Sequence, residues 1–211
     1  VTQKNNQGCT PLHVASIHGR TDTIKLLLQQ NGTDVRAVNN RGSTPLHLAS
    51  YNGHTDTIHL LLQQNGTDNG HTDTIKLLLQ QNGTDVRAVN NRGSTPLHLA
   101  SYNGHRDTIQ LLLQQHGTDQ NGTDVRAVNN RGSTPLHLAS RNGHTDTIQL
   151  LLQQNGTDTI QLLLQQNGTD IRAVTNDGWT PLHLASQNGH RDTIQLLLQQ
   201  NGTDVRAVTN T

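Results

Sequence analysis

Along residues 35–68, short apolar stretches alternate with polar punctuation in a pattern that predicts two helices. Thr44-Pro45 marks the start of the first: threonine at an N-cap accepts a bond from a free amide, and proline at the first helical position lacks a donor that would go unpaired anyway. Leu46, Leu48, Ala49 and Ser50 then form a short inner helix, with Ala49 and Ser50 small enough for a neighbouring helix to approach closely. Gly53 supplies the left-handed conformation that ends it. Thr55 and Asp56 suit the first turn of a second helix, both as caps and through the dipole. There Ile58, Leu61 and Leu62 share one face and Leu60 widens it, as expected of an outer helix that touches its partner and a neighbouring unit. Gly66 is expected to stop this helix, and Val35 to Gly42, ahead of the pair, has a short extended segment followed by turn residues.

The pattern recurs. Thr-Pro-Leu-His occurs five times, from Thr10, Thr44, Thr95, Thr134 and Thr180, each copy followed by small residues, Asn-Gly-His or a variant, and Ile-x-Leu-Leu-Leu. Residues 1–34, 35–68, 86–119, 125–158 and 171–204 align as units of 34 residues, and 205–211 begins a sixth. Three joints are irregular: 69–85 repeats 52–68 with Lys76 in place of His59, 159–170 duplicates 147–158, and 120–124 nearly duplicates 115–119. Tandem duplication and partial loss of whole units account for these extras equally well. Only one copy of a duplicated helix can pack behind a given inner helix. The other, covering Leu77–Leu79 or Leu162–Leu164, is expected to be extruded or to dock as an irregular extra helix.

Thr-Pro-Leu-His followed by the triple leucine resembles the ankyrin repeat, and the resemblance covers essentially the whole chain. It implies an all-α solenoid of stacked helix-turn-helix units with short β-finger loops, here interrupted by partial-repeat insertions. Asn65 and its equivalents lengthen the unit beyond the family's usual repeat of about 33 residues, within a loop. The resemblance also implies that each Thr-Pro-Leu-His imidazole bonds the nearby threonine hydroxyl and finger backbone. The finger tips and the ends of the inner helices should border a concave groove that engages partners.

Composition suits a stack better than a single globular core: 30% of residues are hydrophobic, Phe and Met are absent, and there is one Trp. Stacked units bury small aliphatic faces against one another, so no aromatic filling is needed. With 15 basic and 15 acidic residues the formal charge is zero, which argues against nucleic acid or an anionic membrane as the main partner. Cys9 is alone, so no internal disulfide is expected and a reducing, cytoplasmic location is favoured. No apolar run approaches the ~20 residues needed to span a bilayer. The last unit stops midway, from which a monomeric array within a longer chain is expected.

The 13 histidines raise the question of metal. Five of them, His13, His47, His98, His137 and His183, recur one per unit along the stack and so do not converge on one ion. His54, His71, His105, His144 and His190 follow Asn-Gly at the entry to the second helix and read as turn and cap residues. Ser50, His47 and Asp56 could suggest a hydrolytic trio, but Ser50 takes a close-packing position and the set repeats, whereas an active site is assembled once. No cofactor or enzymatic activity is implied. Asn-Gly-Thr triplets match the glycosylation rule, yet serve equally as helix ends and turns. Arginines at one finger position, such as Arg36 and Arg87, follow Asp34 and Asp85 by two residues, so local compensation is expected.

Because five copies share one scaffold, positions that differ between them are those that packing does not decide. At the finger tip stand Gln7, Arg41, Arg92, Arg131 and Asp177; before the threonine, Cys9, Ser43, Ser94, Ser133 and Trp179. After the inner helix come Ile17, Tyr51, Tyr102, Arg141 and Gln187. Tyr, Trp and Arg are the types that most often anchor interfaces. We therefore expect partner contacts at Arg41, Ser43, Tyr51, Arg92, Ser94 and Tyr102, and in the later units at Arg131, Ser133, Arg141, Asp177, Trp179 and Gln187. The expected function is a non-enzymatic scaffold that binds another protein. The alternatives are a ligand-sensing array of a larger receptor, resembling fungal receptors with near-identical ankyrin stretches, and a structural spacer.

Overall fold

The computed structural model describes residues 1–63, 83–114, 123–153 and 169–200. Each Thr-Pro-Leu-His opens a helix: α1 (Pro11–Ile17), α3 (Pro45–Asn52), α5 (Pro96–Asn103), α7 (Pro135–Asn142) and α9 (Pro181–Gln187). Behind them run α2 (Thr21–Leu28), α4 (Thr55–Gln63), α6 (Arg106–Leu113), α8 (Thr145–Gln153) and α10 (Arg191–Leu198). Among the described residues there is no strand, and the fingers are built of turns.

The inner helices start where the sequence places them because threonine and histidine close a reciprocal capping box. The Thr44 hydroxyl accepts from the His47 amide while the His47 ring accepts from the Thr44 amide, and Pro45 takes the first helical position. The same box forms at Thr10, Thr95, Thr134 and Thr180. Inner helices pack in the order α1, α3, α5, α7, α9, and outer helices in the order α2, α4, α6, α8, α10. Leu46, Ala49, Ile58 and Leu61 are fully buried, and with their equivalents they form one continuous aliphatic core that runs through every unit.

Stacking passes through the irregular joints without a change of contact. Where no residues are inserted, the Thr33 hydroxyl donates to the Leu27 carbonyl at the end of α2 (2.5 Å). At the interrupted joints Thr84 donates to Leu61 (2.7 Å), Thr123 to Leu112 (2.7 Å) and Thr169 to Leu151 (2.8 Å). The outer helix in each case is the upstream copy, and the closing threonine comes from the downstream Asn-Gly-Thr-Asp. The duplicated sequence thus supplies both ends of an ordinary joint. The spare helices expected over Leu77–Leu79 and Leu162–Leu164, and the stop at Gly66, lie outside the described residues.

Gly53 does more than end α3. It has φ +71°, and a Cβ built on it would lie 2.6 Å from Nδ1 of His105 in the next unit. Gly189 has nearly the same φ, +70°, but no described atom within 4 Å of such a Cβ. Alanine at either position should cost the ~1–2 kcal/mol of a left-handed non-glycine residue, and Gly53→Ala should cost more because it also displaces the His105 ring. Urea midpoints of the two variants measure this. Equal losses would show that contact with His105 contributes nothing.

Candidate partner-binding face

The second, third and fourth fingers are each held by their own asparagine and by the finger before them. The Asn39 side-chain carbonyl accepts from the amides of Arg41 (2.9 Å) and Ser43 (3.0 Å), a local turn that asparagine forms readily. Asn40 then bonds backward, its amide to the Gln7 carbonyl (3.0 Å) and its side chain to the Asn6 carbonyl (3.1 Å). Asn91, Asn130 and Asn176 repeat the pair of bonds, with the carbonyls of Arg41, Arg92 and Arg131 accepting from the main chain in turn (3.0 Å each). The finger tips are therefore stitched into a row, and the arginine side chains that stand on it are exposed.

The Thr-Pro-Leu-His histidines link units one level deeper. His47 Nδ1 accepts from the Thr44 amide (3.2 Å) and lies 2.8 Å from its hydroxyl, so the ring proton belongs on Nε2, which donates to the Ser94 carbonyl of the following unit (2.9 Å). His13 donates likewise to Ser43 (3.0 Å), His98 to Ser133 (3.0 Å) and His137 to Trp179 (2.9 Å). Burial pushes His47 and His98 down to about 4 and lowers His13 and His137, against the weaker opposing pull of the carbonyl bonds. These side chains are structural, as expected.

A second set of histidines was read only as turn and cap residues, and here the structure corrects the expectation. His105 occupies the N-cap of α6 but makes no side-chain capping bond. Its Nε2 donates instead to the Tyr51 carbonyl of the preceding unit (3.0 Å); His54, His144 and His190 donate to Ile17 (2.9 Å), Tyr102 (3.0 Å) and Arg141 (3.0 Å). At Asp34 the aspartate does not pair with the neighbouring guanidinium: Asp34 Oδ1 accepts from the Arg36 amide (2.8 Å), while the Arg36 side chain donates to the Gly83 carbonyl. Among the described residues no group of histidine, cysteine and aspartate could hold a metal ion. Ser50 Oγ is buried without a hydrogen-bond partner and both His47 nitrogens are engaged elsewhere, so the trio is not a nucleophile and its base.

Of the residues expected to contact a partner, Arg41, Arg92, Arg131 and Asp177 are exposed at the tips, and Tyr51, Tyr102, Arg141 and Gln187 are exposed at the ends of the inner helices. Trp179 is half-buried, edge-on to His183 with ring centroids 6.0 Å apart. Ser43, Ser94 and Ser133 are different: they are only 5%, 6% and 8% exposed, and their main chains serve the finger turn and the histidine bond. Variation at that position reflects a site where only a main chain is required. Sequence reasoning missed a stripe of exposed valines, Val38, Val89, Val128 and Val174, at 46–59% exposure along the fingers. Their sameness from the second unit to the fifth concealed them.

The described units stack as helix pairs joined by a tip ladder, with an exposed surface along the fingers and the ends of the inner helices. The family model described as ankyrin repeats (3 copies) matches residues 1–71, 65–159 and 123–209. The chain belongs to the ankyrin-repeat family, whose repeats generally act as protein–protein interaction modules and are typically non-enzymatic. No curated protein matches it. Among the described residues no helix is long and apolar enough to cross a membrane.

The interface histidines make stability pH-dependent with a definite sign. Their ordinary value of 6.5 holds when the chain is unfolded, and the folded value is lower, so their contribution is complete above about pH 6.5 and is lost as pH falls toward 4. The urea midpoint should stay level from pH 8 to 7 and drop steadily from pH 6.5 to 4.5. A midpoint unchanged over the lower interval would contradict the buried, neutral state.

Proposed function

We propose that this chain is a non-enzymatic scaffold that binds another protein through the face formed by the finger tips and the exposed ends of the inner helices. The observation that carries the reading is the exposure of Tyr51 and Tyr102, at 46% and 42%, in a chain otherwise poor in aromatic residues, together with the exposed finger arginines and valines. Large amphipathic side chains left in solvent at equivalent places in consecutive units suit interface anchors. Ser43, Ser94 and Ser133 support the fingers rather than touch the partner. With unit boundaries at 1–34, 35–68, 86–119, 125–158 and 171–204, the face repeats once per unit. Cys9, free and buried, fits a reducing compartment such as the cytoplasm.

Alanine replacement of Tyr51, Arg92, Tyr102, Arg131 and Trp179, one at a time, tests the face against a partner recovered by pull-down. The strongest of these should weaken binding by ~2 kcal/mol, the scale of an interface hot spot, while Gln110→Ala on the outer helix leaves it unchanged. Equal losses on both faces would contradict the assignment.

A further inference from the structure

The chain is neutral overall, but its charge is not evenly placed. Arg41, Arg92 and Arg131 occupy the tips of three consecutive fingers, joined by the Asn91-to-Arg41 and Asn130-to-Arg92 main-chain bonds of 3.0 Å. Among the described residues no carboxylate forms an ion pair with any of them. The carboxylates lie elsewhere: Asp34 and its equivalents hold turns at the finger bases, and Asp56 and Asp107 lie in the first turns of outer helices. Arg141 adds a further exposed cation at the end of α7, and only Asp177, at the last tip, has the opposite sign.

The spacing of this row restricts what can lie along it. Inner helices packed side by side are about 8–10 Å apart, so equivalent side chains recur at about that interval. An extended β-strand rises ~3.3 Å per residue and alternates its side chains, so every third residue would face the groove only half the time. A polyproline II helix has three residues per turn and rises ~3.1 Å per residue, placing every third side chain on one edge at intervals of ~9 Å. That interval matches one turn of ligand to one unit of the stack. The valine stripe at Val38, Val89 and Val128 supplies an exposed apolar surface on the same fingers as the arginines, of the kind on which such helices dock.

We propose that the partner segment is an acidic polyproline II helix, with a carboxylate every third residue, laid along α3, α5 and α7 so that successive carboxylates meet Arg41, Arg92 and Arg131. This rests on the reading of the face given above and names the chemistry of its ligand. Asp177 sets one end of the row, because a further carboxylate there would meet a like charge.

The test uses the full chain and a fluorescein-labelled peptide of four Glu-Pro-Pro triplets, with fluorescence anisotropy as readout. A peptide of the same composition with its glutamates in one block is the control, and a thymidine dodecamer represents an unrelated polyanion. Three exposed ion pairs at ~0.2–1 kcal/mol each amount to roughly tenfold in affinity. The periodic peptide should therefore bind about tenfold tighter than the block peptide, more weakly as salt rises, and R41Q/R92Q/R131Q should abolish the difference. That variant should melt at the parent's temperature, since its side chains hold no described bond. Equal binding of the two peptides, no binding, a triple variant that retains the preference, or tighter binding of the oligonucleotide would overturn the proposal. If the alanine variants of the face still weaken a pulled-down partner, the binding face stands and only the acidic polyproline chemistry has failed.

Discussion

The structure depends on a neutral imidazole placed at the boundary between consecutive units. In isolation a unit is two short helices of seven to nine residues, well below the ~12–15 residues at which helices become marginally stable in water. What fixes the inner helix is the capping box of Thr44 and His47, and the same ring then donates to Ser94 in the next unit. One side chain therefore ties local folding to neighbour recognition. It can do so only while uncharged, because a second ring proton would point at the Thr44 amide and have to be accommodated in a fully buried site.

Two outer ladders reinforce this inner one. Asparagines join the finger tips, and the His105 type of residue joins the turn after one inner helix to the end of the preceding one, over a glycine that leaves room for the ring. All three ladders lie on the fingers, inner helices and inter-helix turns. The insertions fall between an outer helix and the next finger, so the described ladders continue past them. Closing a longer loop costs only slowly more with length, and the core grows by addition of units rather than by enclosure. An array so arranged accommodates uneven joints and keeps one continuous face.

Much of the fold was legible in the sequence because its strongest signals are local. Thr-Pro starts, the Gly53 stop and the apolar spacing of Ile58, Leu61 and Leu62 each follow from the chemistry of a few adjacent residues. The parts that escaped involve contacts between units. His105 looks like a cap until the preceding unit places the Tyr51 carbonyl beside it. The exposed surface was legible only in part. Comparing units identifies Arg41, Tyr51 and Tyr102, which vary and are exposed, but it also selected Ser43, Ser94 and Ser133, whose side chains are tolerated where the main chain does the bonding. It passed over Val38 and Val89, exposed residues that are the same from the second unit to the fifth.

The central claim is that His47 and His98 remain neutral with the proton on Nε2 while the stack is folded. Long-range proton–nitrogen NMR spectra of the imidazole rings measure both features directly across a pH titration. The account predicts the Nε2–H tautomer for these two rings, unchanged from pH 7 down to the acid limit of folding. Protonation of His47 or His98 near pH 6.5 in the folded protein, or a proton resident on Nδ1, would contradict it.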